Sequence, residues 1–153
     1  MSSANPLRLD VELEPAGIEV RLQNSSQQPV RVWAPGNSWG GASWSLQLAA
    51  VGGPGNERVL RPGKQPYTVN LPRFIEVPAR GQRELVLTPG DLDWTFGEDL
   101  SALRGVPLGV RVVLDIAPSQ EAAEHQVATG RAESTELTSH PPHGWLFRSP
   151  VAG

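Results

Sequence analysis

Three tryptophans, Trp33, Trp39 and Trp44, fall within one short stretch of the chain, with Asn37 between the first two. Indole offers a large rigid apolar face and a single N–H donor, so clustered exposed tryptophans anchor protein interfaces or stack on sugar rings. Strand alternation that turns Val30 and Val32 toward a core points Trp33 away from it. Trp44 reads as core. Trp33 and Trp39 either cover an open sheet face beneath a loop or, together with Asn37 and Trp44, make up a binding site.

Other reactive side chains fit their chemistries less well. Asp91, Asp93, Glu98 and Asp99 could supply oxygen ligands to calcium, which takes about six to eight of them. They lack the glycine and terminal glutamate that a calcium loop places at fixed offsets, so turn formation at Asp91 and helix capping at Asp99 are the expected roles. His140 and His143 are separated by Pro141-Pro142, an extended spacer that sends its neighbours in divergent directions. Both read as surface histidines of a tail, with His125 distant in the chain. Ser38, Ser43 and Ser134 do not sit in a Gly-x-Ser-x-Gly turn, and Gly40-Gly41 and Gly52-Gly53 lack the lysine and following helix of a phosphate cradle. No catalytic residue, metal or cofactor is therefore predicted. An enzyme whose carboxylates or histidines meet only in space stays as an alternative.

Composition narrows the partner. The 13 basic residues, Lys64 the only lysine among them, are scattered, and the formal charge is −3. A nucleic-acid binder needs a clustered positive footprint, so nucleic acid is not an expected partner. The absence of cysteine removes disulfides, thiolate nucleophiles and thiolate metal sites. The first residues carry no basic leader with an apolar run, and no apolar stretch reaches the roughly 18 residues of a membrane span. A cytoplasmic location without membrane association is expected.

The elements that must position these residues are strands. Leu7, Leu9, Val11 and Leu13 alternate with Arg8, Asp10 and Glu12, and Ile18, Val20 and Leu22 alternate with Glu19, Arg21 and Gln23. Pro15-Ala16-Gly17 turns between them, and the polar run Asn24 to Pro29 leads to Val30–Ala34 as a hairpin with a long loop. Trp44, Leu46 and Leu48 alternate. Arg58–Arg61 reads as a short edge piece, and Tyr67–Leu71 and Phe74–Val77 as a bent or edge strand around Pro72. Gln82–Thr88 follows. Leu108–Ile116 is the strongest strand, a central one, with Val113 interrupting its polar face. Asp99–Leu103 suits one helical turn, and Ala117–Gln126 a loop with a turn. Val127–Leu137 is assigned as extended because the preceding strand needs a partner. The tail from Thr138 reads as irregular, with the apolar Trp145-Leu146-Phe147 folding back over one end or serving as a docking segment.

With 16 glycines and 15 prolines punctuating short alternating runs, the pattern predicts an all-β fold: an immunoglobulin-like antiparallel sandwich of about seven to nine strands, ahead of a small closed barrel. One domain spans residues 1–147, with a flexible tail over 148–153.

The run from Ile18 to Val32, with Asn24-Ser25-Ser26-Gln27-Gln28-Pro29-Val30 at its centre, resembles the second and third strands of bacterial immunoglobulin-like domains. It is similar to a segment of a small family of intracellular proteinase inhibitors with a sandwich fold. It covers about a tenth of the chain and implies a hairpin, not an activity. Trp33 to Gly40 resembles segments of uncharacterised bacterial proteins of similar size and implies no function. The expected function is a non-catalytic protein-binding module, of inhibitor or immunity type in its sharpest form, with another protein as partner. The alternative is a carbohydrate-binding module that stacks sugars on the tryptophans.

Overall fold

The computed structural model describes residues 6–15, 17–35, 43–51, 58–61, 73–87, 103, 105–141 and 143–146. Within them lie ten strands: β1 (Leu7–Glu14), β2 (Gly17–Asn24), β3 (Val30–Trp33), β4 (Trp44–Ala50), β5 (Arg58–Leu60), β6 (Phe74–Val77), β7 (Gly81–Leu87), β8 (Leu108–Ile116), β9 (Gly130–Glu133) and β10 (Leu137–Ser139). One short helix, α1 (Gln120–Glu124), starts at Ser119, whose side chain accepts from the Ala122 N–H at 3.0 Å. The protein is all-β with antiparallel sheets, as the alternation predicts. No helix among the described residues is long and apolar enough to cross a membrane. The predicted strand at Tyr67–Leu71, the acidic stretch Asp91 to Asp99, Phe147 and the tail 148–153 lie outside the described residues.

The strands form three sheets, ordered β1-β2-β7, β10-β8-β4-β5 with β9 also on β8, and β3-β6. Their inward residues share one core, in which Ile18, Val20 and Leu22 meet Leu46, Leu48, Val110, Val112 and Leu114. β8 is central, with β4 along one edge and β9 and β10 along the other. Its second face is covered in part, since Val113 is buried as well. The split into β9 and β10 takes the strand count above the seven to nine expected from sequence.

Two expectations need correction. β2 and β3 do not form a hairpin: β2 pairs β7 from Ile18↔Leu87 to Asn24↔Gly81, and β3 pairs β6 from Val30↔Val77 to Trp33↔Phe74. The two strands of one sheet therefore cross together into another, through 25–29 and 78–80. Asn24 causes the diversion. Its buried side-chain amide lies 2.7 Å from the Gln28 carbonyl and 3.2 Å from those of Val77 and Pro78, while its Oδ1 accepts from the N–H and hydroxyl of Ser26. Arg80 turns the second strand with a left-handed φ of 52° and donates its N–H to the Ser26 carbonyl. The second correction concerns Thr138 and Ser139, expected in an irregular tail, which complete β10 against Gly109 and Leu108.

Candidate functional site

The predicted tryptophans divide. Trp44 is fully buried, and its indole N–H donates to the Trp33 carbonyl at 2.8 Å. Trp33, expected to face away from the core, is only 2% exposed. Strand alternation does turn it from Val32, but that outer face is roofed by the segment after α1. The Ala128 N–H donates to the Arg31 carbonyl at 2.8 Å, Arg31 and Val127 form a parallel bridge, and the His125 ring meets the Trp33 indole edge-on at 6.0 Å. A covered indole cannot stack on a sugar, so Trp33 and Trp44 supply no platform for carbohydrate. Asn37 and Trp39 lie outside the described residues.

What the outer face of β3–β6 does present is Phe74. It is the register partner of Trp33 and is 37% exposed. The Arg31 guanidinium lies 4.5 Å from the Phe74 ring centroid, and the His125 ring lies 6.2 Å away at a tilt. Arg31 is fixed on both sides: its Nε donates to Glu76 at 3.0 Å across the strand pair, and its Nη1 to the His125 carbonyl at 3.2 Å. With Arg31 and Glu76 one third and one half exposed, that ion pair contributes at most about 1 kcal/mol to folding. Its effect is geometric, because a held guanidinium has already lost much of the rotamer freedom that binding would otherwise cost. Phe74 did not stand out in the sequence, and His125 was weighed only as a histidine distant from the tail pair. A phenylalanine in the wet phase of a strand, with Ile75 and Val77 in the dry phase, is the signal that could have found Phe74.

The remaining candidates fall elsewhere. His143, read as a surface histidine, is 1% exposed, a correction that follows from its partners. Its Nε2 lies 2.7 Å from the Val106 carbonyl, which can only accept, so Nε2 carries the proton and Nδ1 accepts from the Ser139 hydroxyl at 2.7 Å. Ser139 in turn accepts the Trp145 indole N–H at 2.8 Å. The arrangement satisfies every member, as a buried polar network must. His140 is exposed and His125 half-buried. Ser134 bonds the backbone of Val112 and Thr135, Ser43 is buried, and Ser38 lies outside the described residues.

Among the described residues, Glu12, Glu14 and Glu19 bring three carboxylates within 4.8 Å of one another. They stand on the outer face of β1–β2, where Glu12 and Glu19 are register partners. The Glu19 carboxyl is raised above the ordinary carboxylate range by loss of hydration, then by the charges of Glu84, Glu12 and Glu14.

Comparison with protein-family models, curated proteins and solved structures finds no match to this chain.

Proposed function

We propose that this chain is an immunoglobulin-like β-sandwich acting in the cytoplasm as a non-catalytic protein-binding module, in its sharpest form an inhibitor or immunity protein. Its contact surface is the outer face of β3–β6. One observation carries the reading: Phe74 stands exposed with the Arg31 guanidinium stacked on its ring and tied to Glu76. Aromatic and arginine side chains dominate interface hot spots, and here both are held in place before a partner arrives. The original tryptophan site thus shifts along the same strand pair, from Trp33 to its neighbours Phe74, Arg31 and His125. Asn37 and Trp39 stay proposed contact residues on their chemistry alone.

The test uses a partner captured from a native lysate by the full chain and then purified. Phe74→Ala and Arg31→Ala are each expected to weaken its binding about tenfold or more, measured by calorimetry. Val86→Ala, which removes a side chain 60% exposed on β7, is expected to leave it unchanged. Equal affinity for the Phe74→Ala variant and the parent chain would show that the surface is wrong.

A further inference from the structure

The outer face of the β8–β4–β5 sheet carries a second feature, unrelated to Phe74. Its residues Gln47, Ala49, Val59, Gly109, Arg111 and Glu136 line a groove of about 170 Å³, room for roughly five or six water molecules. Arg111 and Gln47 are register partners on β8 and β4, as are Gly109 and Ala49.

A β-bulge aims Glu136 into this groove. β9 follows β8 in register as far as Val113↔Glu133, and Ser134 continues it, its N–H donating to Val112 O and its hydroxyl accepting from Val112 N, both at 2.9 Å. Pairing resumes at Val110↔Leu137, so Thr135 and Glu136 together oppose the single Arg111. Bulges re-aim side chains in this way and are over-represented beside functional sites. The carboxylate of Glu136 then lies across Gly109, where an added Cβ would stand 2.5 Å from its Oε1. Gly109 leaves that space open, although the exposed Glu136 side chain could also swing aside.

The two charges share the groove without pairing: among the described residues no ion pair joins Arg111 to Glu136 or to any other side chain. The Nε of Arg111 is buried and has no hydrogen-bond partner. That Nε is out of reach from the groove; what the partly exposed side chain of Arg111 and the exposed one of Glu136 offer a ligand is two opposite charges not bonded to each other.

We propose that this groove is a binding site for a small zwitterion of free amino-acid size, its carboxylate accepting from Arg111 and its ammonium donating to Glu136. The opposite charges of the two side chains select a ligand carrying both signs over one carrying either alone, and Gln47 offers a neutral amide beside them. Arg58 also lines the groove. The site is independent of the β3–β6 surface, and either reading can fail without the other.

The experiment titrates the full chain with individual free L-amino acids, and with acetate and methylamine as single-charge controls, following the amide resonances of Gly109, Arg111 and Glu136. At least one amino acid is expected to give saturable shifts at a concentration tenfold or more below either control. Arg111→Gln and Glu136→Gln are each expected to weaken that binding by about tenfold or more, the scale of one charge-assisted hydrogen bond. Glu136 is exposed at a bulge, so its variant keeps the fold, and undisturbed resonances of Val110 and Leu114 check this. Absence of saturable shifts, equal binding of acetate, or full binding by both variants would overturn the proposal and leave a groove that holds water only.

Discussion

Glu19 occupies the centre of a like-charged group on the outer face of β1–β2–β7, and its environment has a sign that can be worked out. Loss of hydration and the charges of Glu84, Glu12 and Glu14 raise its carboxyl above the value it has in the unfolded chain. The folded state therefore favours the protonated form. The associated stability is fully present below the ordinary carboxylate pKa and is lost as pH rises through the raised value. Glu19→Gln is accordingly expected to raise the melting temperature at neutral pH and to change it little near pH 3, with added salt narrowing the neutral-pH gain. A variant that melts no higher than the parent at neutral pH would refute the repulsion. Sequence revealed which residues stand on this face, because period-2 alternation fixes it, but it did not give the neighbours across the strands. Trp33 illustrates the same limit. Alternation placed its side chain opposite Val32, but only the three-dimensional path of residues 125–128 decides that this side is roofed.

The crossing of β2 and β7 into β3 and β6 depends on Asn24. Removing its side chain in Asn24→Ala takes a donor from the carbonyls of Gln28, Val77 and Pro78 and an acceptor from Ser26, while Gln28 keeps the Ser26 hydroxyl and Pro78 the Gly81 N–H. A loss of about 1–3 kcal/mol is expected, the scale of hydrogen bonding lost at a buried site. Urea denaturation should show it as a lower midpoint with unchanged slope. A loss below about 1 kcal/mol would mean that water replaces the amide. The run from Asn24 to Val30 was visible in the sequence as a connection between two strands. Its direction was not, because an asparagine that turns a hairpin and one that carries the chain into another sheet have the same composition. The bulge opposite Arg111 was hidden for a related reason. Val127 to Leu137 has no clean period of two, and that irregularity is the inserted residue itself.

At the scale of the molecule, the apolar tail closes the structure. Trp145 and Leu146 are buried in the common core, in keeping with the fold-back expected for an apolar triplet, and the Ser139 hydroxyl links the Trp145 indole to His143. Trp145→Ala is expected to cost about 3–5 kcal/mol, the range for deleting a large buried aromatic, read from guanidinium denaturation. A cost below about 1 kcal/mol would make the tail an ornament on a core complete without it. Gly144 fixes where the tail docks, since a Cβ there would stand 2.7 Å from the Pro15 carbonyl in the turn between β1 and β2. That contact joins an early hairpin to a segment synthesised long afterwards. On the ribosome, Leu7 to Asn24 emerges and waits with one flank bare until Gly144 and Trp145 clear the exit tunnel. That docking therefore comes late in the making of the fold, and nascent chains stalled before Gly144 should be readily cut by protease in that hairpin.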